Sequence, residues 1–315
     1  MQVFLTIDTE LSWRHHASGL AVGEIAARSF EPAGVGVAHQ LDLLAQHGLK
    51  ATFFVDPMPA LVYGIAPIQA VVSAILAAGQ EVQLHLHPNW RGASAADRRE
   101  HGQFDLVDFS RAGQQMLIRE AVALIVEAGA PLPIAFRGGN YAANDDTLRT
   151  LAALGFRYDS SHNGAAQPWP SAIDLPAAQI APVVRHGVTE VPVTVIEDFA
   201  GSYRQFQICA LSIDEQQAAL DHAIAERHAA TTIVGHSFEL AVRDGTRPNA
   251  VHTRRFAQLC ELLAARRAEA PTAHFTDLPA LALGQDDRPL PANSSRRRMR
   301  QVEQVWSNLV EERTT

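Results

Sequence analysis

Cysteine is nearly absent from this 315-residue chain. Cys209 and Cys260 fit no CxxC spacing, which excludes both a thiolate metal site and a disulfide scaffold. Long apolar runs are missing too. The stretch 65–78 is too short to span a bilayer and is broken by Pro67, Gln69 and Ser73. Met1-Gln2-Val3 leads directly into an apolar run, without a basic start or a small-residue cleavage site, as expected of a soluble cytoplasmic protein. Basic excess is absent: 26 Lys plus Arg stand against 34 Asp plus Glu, a net charge of −8, which argues against nucleic acid as the main partner. There is no G-x-G-x-x-G after the first apolar run, no P-loop and no G-x-S-x-G elbow. Dinucleotide, nucleoside-triphosphate and serine-hydrolase chemistry are thereby disfavoured. No internal repeat occurs.

What remains is the composition of a globular protein. Apolar residues make up 47% of the chain, enough for a sizeable core. Apolar β-branched runs predict strands at 2–7, 50–55, 81–86, 134–137, 157–160, 189–195, 231–235 and 272–275. Helical patterns alternate with them. Leu117, Ala121, Leu124, Ile125 and Ala128 form one apolar stripe, and Asn144 is placed to cap a helix over 145–154. Ser212-Ile-Asp-Glu215 is a capping-box pattern opening a helix that runs to about residue 228, while Gly48 and Gly79 close earlier helices. Repeated strand–helix units imply an α/β fold with a parallel sheet or barrel, whose active site gathers at the C-terminal strand ends. Asp8, His85, Arg137 and His236 all fall there. Residues 89–110 are polar and follow a histidine pair, so they are expected to be a loop bordering the site. From 284 to 315 the chain reads as a polar linker and C-terminal helix or tail, with 1–283 as the main domain. Its arginine run at 296–300 reads as a solvated face.

Two residue pairs carry most of the chemistry. Asp8-x-Glu10 and His85-x-His87 each end an apolar run, and residues two apart on a strand share a face. Taken alone, the first reads as a turn with solvated carboxylates and a single histidine as a core or surface residue. Together, two carboxylates and two imidazoles form a hydrolytic ligand set for a divalent metal, with a carboxylate left over as base. The residues alone leave open whether Asp8 or Glu10 is the ligand. His15-His16 is a weaker pair, expected in a loop. Arg137-Gly-Gly-Asn-Tyr141 places an arginine where it can orient a carboxylate, and glycines where backbone can approach a ligand closely. His236 ends a further strand and suits protonation of a leaving group. Trp13, Trp90 and Trp169 are candidates either for a sugar-stacking wall or for the core.

In this order the motifs resemble the polysaccharide deacetylase family (NodB-homology, carbohydrate esterase 4 type). The segments are Thr6-Ile-Asp8-Thr-Glu10, His85-Leu-His87-Pro, Arg137-Gly-Gly-Asn-Tyr141, Tyr158-Asp-Ser-Ser161 and His236, spanning roughly residues 2–280. Three departures stand out: Thr9 occupies the second aspartate position, the histidines are two apart rather than four, and Gly139 stands where proline is common. The resemblance implies a distorted (β/α)7-type barrel and removal of acetyl groups from an N- or O-acetylated sugar. It implies Asp8 as base, Glu10, His85 and His87 as metal ligands, and His236 as acid. Arg137 would orient Asp8, and backbone near Tyr141 would stabilise the oxyanion. The ion implied is Zn²⁺, with Co²⁺, Ni²⁺ or Fe²⁺ as alternatives, and the expected substrate is an acetylated sugar or glycan precursor. Two other readings remain: a metal-independent hydrolase of other C–N bonds such as cyclic ureides, and a non-catalytic sugar-binding protein on this scaffold. Oligomeric state is not legible.

Overall fold

A computed structural model describes residues 1–97 and 105–307. Eight strands form the main sheet: β1 (Gln2–Thr9), β2 (Thr52–Val55), β3 (Glu81–Leu86), β4 (Ala135–Gly138), β5 (Tyr158–Asp159), β6 (Val183–Arg185), β7 (Val188–Glu190) and β8 (Ala230–His236). Their spatial order is β8-β1-β2-β3-β4-β5-β7-β6. Every neighbouring pair is parallel except β6 with β7. Beyond β7 the chain leaves regular pairing but stays bonded: Val191 and Val193 N–H donate to Asp159 and His162 carbonyls, and Thr194 N–H donates to Thr232 of β8 at 3.1 Å. This irregular segment bridges the two sheet edges and curls the sheet into a distorted half-barrel.

Strand alternation separates two cores. Val3, Leu5 and Ile7 of β1, with Phe53, Val55, Leu84, Leu86 and Phe136, face the helices in one large buried cluster. Phe4, Phe54, Ala135 and Tyr158 face inward and form a second cluster with Phe275. By the two-residue period, Thr6 and Asp8 continue the inward row above Phe4. The concave interior is therefore aromatic at its base and polar towards the C-terminal strand ends.

The predicted strand at 272–275 is a single bridge from Thr272 to Val3, followed by a 3₁₀ turn at Phe275–Asp277. Burial explains the difference: Phe275 plugs the barrel base, its ring 4.6 Å from Phe4, and its N–H bonds the Glu81 carboxylate rather than a ladder partner. The predicted strand at 189–195 divides into β7 and the separate Val195–Phe199, which pairs with Ser202–Gln205. The short antiparallel β6 was not predicted; its turn to β7 runs through His186 and Gly187, both at positive φ. His15 and His16, expected in a loop, lie on the helix Trp13–Ala17 and are buried.

The helix punctuation matches expectation. Asn144 accepts from Asp146 and Thr147 N–H to cap Asp145–Ala153, and Ser212 with Glu215 forms the capping box of Ile213–Ala225. Near the C-terminus, Ser294–Trp306 is helical. Arg300 departs from the solvated-face reading: it is 2% exposed and bonds Asp198 and Glu215. The tail's last residues, 308–315, and part of the predicted loop, 98–104, lie outside the described residues. Among the described residues no helix is long and apolar enough to cross a membrane.

Candidate metal centre

Parallel register sets the site. Asp8 of β1 neighbours His236 of β8 on one side, and His85 of β3 neighbours Arg137 of β4. Glu10 and His87 lie just beyond the ends of β1 and β3. Among the described residues, one group of three side chains has the spacing to hold a metal. Its ligand atoms come from Glu10, His85 and His87 and lie within 4.8 Å of one another. His85 Nε2 is 3.2 Å from Glu10 Oε2, and His87 Nε2 contacts the same oxygen. That oxygen is buried without a well-aligned hydrogen bond.

Three features of the donor set fit a divalent ion. His85 Nδ1 lies 2.8 Å from the Arg137 carbonyl. A carbonyl can only accept, so Nδ1 donates to it, the arrangement that leaves Nε2 as the ring atom able to ligate an ion. The His87 ring rests against Gly139, where a Cβ would fall 2.4 Å from Nδ1. The orphaned Glu10 oxygen sits between the two imidazoles. Gly139 is thus the residue whose missing side chain makes room for His87. Burial opposes charge at His87, but the adjacent Glu10 carboxylate, with Asp56 and Asp8, raises its pKa to about 9. Glu10 is held well below the usual carboxylate range despite burial, because His87 and His85 face it.

Beside this cluster, Arg137 is fully buried and spends its guanidinium on the barrel interior. It donates to Asp8 Oδ1 and Thr6 Oγ1, each at 2.8 Å, and to the Ser160 carbonyl and hydroxyl. Two more buried acids, Asp159 and Glu190, lie near it, but burial raises both and their mutual repulsion raises Glu190 well above its ordinary range. Asp8 is the carboxylate in direct contact with the Arg137 guanidinium. His236 Nε2 stands 3.9 Å from Asp8 Oδ2. Burial disfavours its charged form, yet the Glu239 carboxylate, 3.9 Å from Nδ1, overrides this and raises the imidazole to about 9. Tyr141 lies in a turn with Asn140, both at positive φ; its hydroxyl is buried without a partner, and burial pushes its pKa up.

Two residues of the site were not singled out from sequence. Glu239 is anchored by N–H groups of Gln207, Cys209 and His236. Its signal was an acid three positions after a strand-end histidine. Asp56 is fully buried just past β2, one oxygen bonded to Met58 N–H and the other unpartnered, and burial raises it to about 6. Its signal was an acid at a strand's C-terminal end. Glu10 and His87 open into a cavity of about 580 Å³ that Trp13 and Trp90 also line. The two indoles pack edge to face at 4.9 Å. Trp90 is 1% exposed and serves cavity and core at once, whereas Trp169 is exposed and does not line the cavity.

No protein-family profile and no curated protein sequence matches this chain. Solved structures do match in shape. One is assigned as a polysaccharide deacetylase from Mycobacterium smegmatis: TM-score 0.57, 18% identity, covering 91% of this chain and 94% of that one. Another is PuuE allantoinase: TM-score 0.53, 15% identity, covering 88% of each chain. At these identities the likeness is one of fold. The chain has the curled α/β half-barrel fold seen in these structures.

Proposed function

We propose that the chain is a metal-dependent hydrolase that removes acetyl groups from an N- or O-acetylated carbohydrate. The observation that carries this reading is the convergence of Glu10, His85 and His87 beside an arginine-held carboxylate and a carboxylate-held histidine. Glu10, His85 and His87 would hold the ion, Zn²⁺ first among the candidates. Such an ion supplies Lewis acidity, polarising a carbonyl and making water nucleophilic at neutral pH. Asp8, oriented by the Arg137 guanidinium, takes the proton of the attacking water. His236 protonates the departing amine or alkoxide, and Glu239 keeps it charged until then. Backbone near Tyr141, in the turn whose Gly139 packs on His87, would stabilise the oxyanion. A cytoplasmic location would make a soluble or membrane-linked glycan precursor the accessible substrate, rather than wall polymer.

The test is metal content by mass spectrometry of untagged protein, wild type beside His85→Ala/His87→Ala, followed by acetate release from acetylated sugars. About one ion per chain, lost in the variant, together with acetate release is the expected result. An unchanged metal content in the variant would overturn the ligand set. The fold shared with PuuE allantoinase favours one second reading, a hydrolase of cyclic ureides working without metal. Turnover of a ureide by metal-stripped protein, with no acetate released from any sugar, would select it.

A further inference from the structure

One buried carboxylate at these strand ends is left over from the pairs described above. Asp8 contacts Arg137 and Glu239 faces His236, whereas Asp56, fully buried, forms no ion pair among the described residues. One of its oxygens accepts from Met58 N–H at 3.0 Å, and the other is buried without a partner. The sheet fixes where this acid stands. Thr9 of β1 pairs with Val55 of β2, and Val55 with Leu84 of β3, so one residue further on Asp56 lies between Glu10 and His85. Its N–H donates to the Thr9 carbonyl at 3.0 Å, which carries the register past the end of β2. By alternation it takes the inward face of Phe54. The imidazoles of His87 and His85 favour its charge and Glu10 opposes it, as befits a carboxylate turned towards all three. The turn that follows does not need this charge. Met58 N–H requires one acceptor oxygen, and an asparagine amide would offer it without the cost of burying an anion. An ion does need it: a divalent cation held by one carboxylate and two neutral imidazoles keeps a surplus positive charge in a buried site.

We propose that Asp56 is a fourth protein group serving the ion, a counter-charge that tightens its binding from beside Glu10, His85 and His87. It lies outside the group of ligand atoms that are all within 4.8 Å of one another, so it acts next to the ligand set rather than within it. This role rests on the metal-dependent function proposed above. The test uses full-length wild type and Asp56→Asn, both stripped of metal. Each is titrated with Zn²⁺ and with Co²⁺ in competition with a chromophoric chelator, and metal-free samples of each are unfolded in urea. Asparagine can keep the Met58 bond while removing the charge. The expected result is an ion affinity lower by roughly tenfold or more in the variant, with the urea midpoint of the metal-free protein unchanged. Equal affinity in the two proteins would overturn the role of Asp56 and leave the three ligands standing. A metal-free midpoint that falls in the variant, or a variant that does not fold, would make Asp56 a structural residue of the turn and overturn the proposal as well. Wild type that binds neither ion would overturn the metal-dependent reading, and the role of Asp56 with it.

Discussion

A methyl group added at Gly139 would lie 2.4 Å from His87 Nδ1, inside any permitted contact, and the half-buried His87 ring is also in contact with Glu10. Gly139→Ala is expected to cost about 1–3 kcal/mol in urea denaturation and to weaken metal binding roughly tenfold or more. Gly23→Ala, with nothing within 4 Å of the new Cβ, is the neutral control. His236 yields a pH prediction. Its pKa of about 9 means that it is protonated through neutrality and loses its proton, and with it general-acid activity, as pH rises past about 9. Glu239 is the principal group raising it, so Glu239→Gln should move the alkaline limb of kcat/KM down towards the ordinary imidazole range near about 6.5. An unmoved limb would remove Glu239 from this role. Asp8, Glu10, His85, His87, Arg137 and His236 were legible because each stands at a strand end. Glu239 and Asp56 were not, because an isolated acid in a turn looks the same whether it faces water or a buried imidazole.

Among elements, Arg137 ties β4 to β1 and β5 through Asp8, Thr6 and Ser160. Removing it leaves Asp8, 2% exposed, without its counter-charge. Arg137→Met is therefore expected to cost about 3–5 kcal/mol by chemical denaturation. A loss under about 1 kcal/mol would remove the Arg137–Asp8 contact from this structural role. The parallel strands were readable from apolar runs because both of their faces are buried, which gives unbroken hydrophobic segments. Segment 272–275 has the same composition and is no strand: Phe275 satisfies its burial as a plug, and side-chain oxygens of Glu81 satisfy its backbone. Composition reports burial, not the partner that supplies the hydrogen bonds.

Across the whole molecule, the C-terminal helix is stitched to the body through buried charge. Arg300 meets Asp198 and Glu215, Arg255 meets Glu303, and Asn249 donates to Ser307. Deleting residues 294–315 removes Arg300 from two acids. The melting temperature is expected to fall by about 2–4 °C for each kcal/mol lost. Metal content should stay the same, since no proposed ligand lies on that helix; its loss would show that the helix supports the site. By itself the sequence determined the α/β class, the helix caps and the strand ends near which the candidate ligands stand, because period, capping and apolar runs are local properties. Only the tertiary structure decided which acid shares an oxygen with two imidazoles, why glycine stands at 139, where Arg300 goes and that Asp56 stands between Glu10 and His85. Those are contacts between residues far apart in the chain, and their geometry exists only once the sheet has curled.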